Sequence, residues 1–279
     1  MSTRWAPLDL PDYHIHTPLC HHAVGAVAEY KAAAAAKGVP EICFTDHAPT
    51  DADYDPAHRM TLQEFPRYCG MIEDIRTPGP PEVLFGVEAD YYKGCRTFLE
   101  NWLPRHAFDL VIGSVHFIAS WGFDNPDERH VWDAVDVTET WKRYFALICK
   151  LADTRLFDVV GHLDLPKKFD YRPPGAALRE MAAPALDRIA EAGMGIELNT
   201  AGLRKPVGEI YPSLELLAWA RERGIPICFG SDAHQPEDVG EGFPEALKLA
   251  YAAGYTEYFR IRQRRKTLVP LPPIPAPLS

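Results

Sequence analysis

Seven short β-rich runs, each closing on ionisable or amide side chains, constrain this 279-residue chain more than any other feature. They fall at residues 12–16, 41–46, 82–88, 110–116, 158–164, 195–199 and 226–232. Several are nearly continuously apolar before their last residues, as in Val83-Leu84-Phe85-Gly86-Val87, which is how strands buried on both faces read. Helix-patterned stretches lie between them at 25–37, 138–153, 176–192 and 213–223, with Gly38, Gly193 and Gly224 as stop residues. Strand, helix, strand in series predicts a parallel α/β sheet. The polar ends are His14 and His16, Asp46 and His47, Glu88 and Asp90, His116, His162 and Asp164, Glu197 and Asn199, and Asp232 and His234. An open doubly wound sheet would gather such groups at one switch point. Here all seven runs contribute, which favours a closed or nearly closed barrel with its site at the C-terminal ends of the strands.

No fixed-period repeat or low-complexity linker divides the chain, so a single domain over 1–279 is expected. Its proline-rich tail at 268–279 reads as extended and either packed or frayed. The segments 49–81, 117–137 and 200–212 exceed ordinary connections. All three follow strand ends and should overhang the barrel mouth, the first with a helical piece near 61–75.

Lys plus Arg number 29 against 39 Asp plus Glu, a formal net charge of −10. That field repels polyanions and argues against general binding of nucleic acid or anionic membranes. No stretch approaches the roughly 18 apolar residues of a membrane span. Met1 to Pro11 lacks the apolar run and cleavage pattern of a secretory signal. Six scattered cysteines without a C-x-x-C pair read as reduced thiols in a cytoplasmic protein. If the substrate is an anion, something local must reverse the sign.

Most of the eleven histidines sit in one pattern. His14 and His16, two apart on a strand, point to one face and can reach one metal ion. His22 follows, then His47, Glu88, His116, His162, Asp232 and His234, and Gly or Ser stands one or two residues before Glu88, His116, His162 and Asp232, leaving room for an ion near the backbone. His58, His106 and His130 lie in loops or before Phe108 and read as ordinary core or surface residues. His21, adjoining His22, is ambiguous.

The series HIHT at 14–17, His22, TDHA at 45–48, GVEAD at 86–90, GSVHF at 113–117, GHLDL at 161–165 and GSDAH at 230–234 resembles the polymerase-and-histidinol-phosphatase (PHP) superfamily. HTPLCHHA at 16–23, GSVHFIASWGFDNP at 113–126 and ELNTAGLRKPVGEIYPS at 197–213 resemble its monofunctional histidinol-phosphatase branch, and the likeness runs from Asp12 to about Val269. The resemblance implies a distorted (β/α)7 barrel of TIM-like form and a trinuclear site of divalent transition metals. It assigns His14, His16, Glu88 and Asp232 to a first metal. Glu88 would bridge to a second metal completed by His116 and His162, and a third metal would take His22, His47 and His234. His21 stands where the branch usually carries a small residue, often glycine, and would crowd the third metal. Imidazole and carboxylate suit zinc, iron or manganese alike. Asp46 and Asp164 are either acceptors for imidazole N–H groups or strand-end and cap residues.

Three divalent ions beside Glu88 and Asp232 leave a local charge of about +4, which supplies the sign reversal and suits a phosphomonoester. The expected chemistry is in-line attack on phosphorus by a hydroxide bridging the first two metals. Asp232 would receive the nucleophile's proton, and His234 or a bound water would supply the leaving group. Arg204 and Lys205, after the sixth strand, are candidate phosphate contacts, with Lys167 and Lys168 after the fifth. The basic run at 260–266 reads as a solvated face. The substrate implied is L-histidinol phosphate, with another small phosphomonoester or a nucleotide as the alternative. Its amino and imidazole groups call for an acceptor among Asp90, Asp124 and Glu197 and a wall among Phe117, Trp121 and Tyr211. A polymerase-associated exonuclease fits poorly with the net charge, and a non-catalytic scaffold fits poorly with so full a ligand set. Metal identity and oligomeric state stay open.

Overall fold

The computed structural model describes residues 8–51 and 54–274. In chain order its elements are β1 (Asp12–Ile15), α1 (Val27–Lys37), β2 (Glu41–Phe44), α2 (Phe65–Ile75), β3 (Glu82–Asp90), α3 (Cys95–Trp102), β4 (Leu110–Ser114), β5 (Phe117–Ile118), β6 (Trp121–Gly122), α4 (Val137–Thr154), β7 (Val159–Val160), α5 (Gly175–Glu191), β8 (Gly195–Asn199), α6 (Leu214–Glu222), β9 (Ile227–Gly230), α7 (Phe243–Ala252), β10 (Glu257–Arg262) and β11 (Arg265–Pro270). One seven-stranded sheet runs β1-β2-β3-β4-β7-β8-β9, with every pairing parallel. Its two end strands meet. Ile15 bridges Ala233, and the His16 amide donates to the Ala233 carbonyl at 2.9 Å. The sheet therefore curls into a nearly closed barrel. Six of the seven runs read from the sequence contain one of its strands, and β3 outlasts the seventh by two residues, to Asp90.

Strand periodicity sorts the barrel interior into layers. Leu84, Gly86 and Glu88 share one face of β3, and Cys228, Gly230 and Asp232 follow the same alternation through β9 and beyond. Leu110, Ile112, Ser114 and His116 do so along β4. The lower layer is apolar: Tyr13, Cys43, Leu84, Leu110, Ile112, Val159 and Cys228 form a buried cluster of their own. The middle layer is small, and it has to be. A Cβ on Gly230 would lie 2.7 Å from both a Glu197 carboxylate oxygen and the His14 Cβ, and one on Gly161 would lie 2.5 Å from the Ser114 hydroxyl. The upper layer carries the imidazoles and carboxylates. Most of the remaining core lies between the strands and the helices, where α1, α4, α5, α6 and α7 turn apolar faces inward.

The basic run at 260–266 is not a solvated face. It forms the antiparallel hairpin β10–β11, which closes the lower end of the barrel. Phe259 and Ile261 complete the apolar interior layer. Around them the cations pair with acids at the strand starts: Arg262 with Glu41 and Glu82, Arg264 with Asp158 at 2.9 Å, and Arg260 with Asp9 at 2.7 Å. Leu268 to Pro270, expected as extended tail, are the last residues of β11, and residues 275–279 lie outside the described residues. Helices α3 and α7 and the small β5–β6 hairpin had no counterpart in the sequence reading. No helix among the described residues is long and apolar enough to cross a membrane.

Candidate metal centre

All nine expected ligands converge above the small middle layer. His14, His16, His162 and Glu88 are almost fully buried, and His47 nearly so. Glu88, at the centre, lies 3.3 Å from His14 Nε2, 3.1 Å from His47 Nδ1 and 3.0 Å from His162 Nε2. His116 Nε2 is 3.7 Å from it. Asp232 lies 3.3 Å from His16 Nε2 and 3.4 Å from His234 Nδ1. Among the described residues, three of the groups whose ligand atoms all lie within 4.8 Å of one another draw wholly on the nine expected side chains: His14, His16 and Glu88; His47, Glu88 and His116; and His22, His47 and His234. The sequence-derived partition matches the His22–His47–His234 group. His47 also reaches the Glu88 side, and Cys20 groups with His16 and His234.

The hydrogen bonds of the outer ring nitrogens set the tautomers. The Nδ1–H of His14 donates to Glu197 at 2.9 Å, that of His22 to the Cys20 carbonyl at 2.7 Å, and that of His234 to the Asp232 carbonyl at 3.0 Å. His116 Nδ1 likewise donates to Asp90 at 3.0 Å. In the neutral rings the Nε2 atoms therefore carry the bare lone pairs. Those of His22 and His234 face each other at 2.9 Å, and that of His14 faces a Glu88 carboxylate. Lone pairs held this close repel unless a cation lies among them. These donors fit divalent cations of borderline softness.

Electrostatics point the same way. Burial would raise Glu88 and Asp232, but the surrounding imidazoles hold both carboxylates well below their usual range. Burial would lower His14, yet Glu197, Asp232 and Glu88 keep it well above its ordinary value. His16 is raised similarly by Asp232 and Asp46, and His116 stands at about 10 against burial because of Asp90 and Glu88. Burial and neighbouring His16 take His22 down to about 4, and burial drives His47 and His234 well below the normal range. Two classes result. Three neutral imidazoles are ready to ligate, and a carboxylate-rich group draws positive charge, which a metal supplies in place of protons.

A cavity of about 460 Å³ opens above these groups. Lys168, Lys205, Phe117 and Tyr211 line it, together with His16, His22, His47, Glu88, His116, His162, Asp232 and His234. Arg204 does not line it. Its guanidinium turns back onto the carbonyls of Ser231 and Asp232. Lys167 is buried, bound to Asp164 at 2.9 Å and to the Ile210 carbonyl at 2.7 Å. Trp121 packs against Trp132 away from the cavity. Of the three expected acceptors, Asp90 serves His116, Tyr54 and Arg59, and Glu197 serves His14, Asn199 and the His162 amide. Only Asp124 faces the cavity, paired with Lys168 at 3.1 Å. Asp46 approaches His16 Nδ1 at 3.5 Å, whereas Asp164 takes the Ser213 amide and Lys167 and meets no imidazole.

His58, read as an ordinary loop residue, lines the cavity mouth with its ring edge-on to His22, and Asp55 beside it accepts from its Nδ1 at 2.7 Å. These two lie in the long segment after β2, where no periodicity marks them. The only available signal was that the segment overhangs a strand end. His106 packs among Phe65, Trp102 and Phe108, as expected of a core residue. His21 takes a left-handed backbone with φ 68° and an exposed side chain outside the cavity lining, so it does not crowd the ligands.

Comparison with known proteins gives two matching families. The PHP domain model matches residues 12–201 and the PHP-associated model residues 215–246. A probable histidinol-phosphatase of Deinococcus radiodurans is 44% identical over 91% of this chain and 98% of its own length. A histidinol-phosphatase of Bacillus subtilis is 31% identical over 85% of this chain and 98% of its own. The crystal structure of the Lactococcus lactis histidinol phosphate phosphatase, complexed with zinc, L-histidinol and phosphate, shares the fold. Its TM-score is 0.78 at 21% identity, covering 93% of this chain and 99% of that one. With a family match over most of its length and relatives aligned nearly end to end, this chain belongs to the PHP-domain family.

Proposed function

We propose that the chain hydrolyses L-histidinol phosphate to L-histidinol and inorganic phosphate, with three divalent cations held by His14, His16, Glu88 and Asp232, by Glu88, His116 and His162, and by His22, His47 and His234. The observation that carries this reading is the convergence of nine ligand-competent side chains, eight of them lining one cavity and His14 buried beneath it against Glu88. The relatives named histidinol-phosphatase support the substrate, and zinc in the Lactococcus complex favours zinc among zinc, iron and manganese.

Bound divalent cations would offset the phosphate charge and lower the pKa of water at the site, providing a nucleophile at neutral pH. The chain's own residues do the rest. Lys168 and Lys205 put ammonium groups on the cavity wall beside the ligands, where they attract the ester's phosphate oxygens. Burial lowers Lys205, and binding a phosphate dianion would restore its charge preference. Phe117 supplies apolar wall for an imidazole. Tyr211 adds its ring and a buried hydroxyl with no protein partner, free to donate to a ligand oxygen. Asp232, held below its ordinary pKa, is ionised and placed to take a proton from the attacking water. His234 has one ring nitrogen committed to the Asp232 carbonyl and the other facing His22. No nitrogen is left for proton transfer, so its role is as a ligand rather than an acid. The free thiols, four of them buried, suit a reducing compartment, and we place the activity in the cytoplasm.

The test is phosphate release from L-histidinol phosphate by protein of known metal content, with and without chelator, beside a panel of nucleotides and sugar phosphates. Chelator-sensitive turnover, fastest on histidinol phosphate, is expected. A higher kcat/KM on any panel member would reassign the substrate.

A further inference from the structure

Adjacent cations at the barrel mouth, Arg204 and Lys205, face different ways. Lys205 lines the cavity and Arg204 does not. The Arg204 Nη2 donates to the Ser231 carbonyl at 2.7 Å and approaches the Asp232 carbonyl at 3.4 Å. Its Nε lies 3.4 Å from the Asp238 carboxylate, which is itself held by Gln235 at 3.0 Å. The backbone it grips is unusual. Asp232 has φ 53°, in the left-handed region that non-glycine residues seldom adopt. This turn delivers two ligands at once, the Asp232 carboxylate and, two residues on, the His234 imidazole. The Asp232 carbonyl also orients His234, accepting from its Nδ1 at 3.0 Å.

The other side of the turn is already fixed. Gly230 packs against His14 and Glu197 with no room for a side chain, and the Ser231 amide donates to buried Asp12 at 2.8 Å. On the outer side, the carbonyls of Ser231 and Asp232 receive Arg204. A planar guanidinium can span two carbonyls and a carboxylate together, which a lysine ammonium cannot.

We propose that Arg204 is a positioning residue for the metal centre rather than a phosphate contact. It clamps the Ser231–His234 turn so that Asp232 and His234 keep their ligating geometry, while Lys205 meets the anion. The division of labour holds for any phosphomonoester, and metal retention can be read without a substrate.

The experiment uses the full-length zinc-loaded protein and its Arg204→Gln, Arg204→Lys and Lys205→Ala variants. Zinc loss to a chelator is followed by elemental analysis and by the visible spectrum of the cobalt-substituted forms. KM, kcat and phosphate inhibition are measured in parallel. For Arg204→Gln, zinc loss at least about tenfold faster is expected, with an altered cobalt spectrum, lowered kcat and little change in KM or phosphate inhibition. Arg204→Lys should fall between parent and Arg204→Gln. Lys205→Ala should hold its zinc and raise KM. The proposal is overturned if Arg204→Gln retains zinc like the parent, or if its defect is confined to KM and phosphate inhibition. Should Arg204→Gln fail to fold, Asp238→Asn frees the guanidinium without removing it. Faster zinc loss in Asp238→Asn and Arg204→Lys supports the clamp, and unchanged zinc retention in both overturns it.

Discussion

Glu197 and His14, on strands 183 residues apart in the chain, meet inside the barrel at 2.9 Å, carboxylate to Nδ1. The same carboxylate accepts the His162 amide at 2.8 Å and the Asn199 side chain at 2.8 Å. One side chain outside the proposed ligand set therefore sets the ring of one proposed ligand and the backbone of another. Glu197→Gln preserves the shape but can present an N–H where an acceptor is needed. Such outer partners are worth about 10- to 100-fold in metal affinity or activity. We expect a drop of that order in zinc affinity, measured by chelator competition, with the circular dichroism spectrum unchanged.

Removing the cations should change how stability depends on pH. In the metal-free protein, His14, His16 and His116 have raised pKa values, His116 to about 10. Their contribution is complete below the unfolded value of about 6.5 and fades as pH rises through the folded values. His22, His47 and His234 are depressed, His22 to about 4. Folding excludes their protons, so stability is lost as pH falls from about 6.5 toward those values. The metal-free protein should accordingly be most stable near pH 6.5. The loaded protein should have a higher Tm and a flatter profile on the alkaline side, where metals replace the shared protons. Calorimetry across pH 4–10, before and after chelation, checks both.

Tyr211 carries a buried hydroxyl without a protein partner in the cavity wall. Tyr211→Phe removes one donor and nothing else. A hydrogen bond to a charged group is worth about 1.5–3 kcal/mol, so kcat/KM for the phosphate ester should fall about tenfold or more. Metal content should stay at the parent level. An unchanged kcat/KM would remove Tyr211 from the substrate contacts.

Phe259 belongs to the barrel interior yet is remote from the metal ligands, at the closed end. Phe259→Ala opens a void in a packed layer and should cost about 3–5 kcal/mol of stability. Urea unfolding reads the loss. The kcat of the fraction still folded should match the parent.

The strands and the converging imidazoles and carboxylates are legible in the sequence because their chemistry is local. Buried parallel strands read as apolar runs, and His14, His47, Glu88, His116, His162 and Asp232 sit on those runs or just past them. The plugging hairpin was not legible. Arg260, Arg262, Arg264 and Lys266 look like a solvated charge run until Glu41, Glu82 and Asp158 are placed beside them. Those partners lie more than a hundred residues away. The contacts of Arg204 with the Ser231 and Asp232 carbonyls are hidden from the sequence for the same reason. Its residue type and its loop both suit a phosphate, and only the left-handed turn at Asp232 shows what it holds instead. His58 had no pattern at all, since its place at the mouth follows from the path of an irregular segment.

The hairpin also bears on how this chain can be made. Its Phe259 and Ile261 complete a layer to which strands from Asp12 onward contribute, and its arginines neutralise acids at the strand starts. A nascent chain still attached before residue 257 has a barrel without a floor and several carboxylates lacking counter-ions. Final closure must wait until the hairpin residues 257–270 have been made. A premature stop just before Glu257 would leave every proposed metal ligand in the polypeptide but remove the element that seals the fold beneath them.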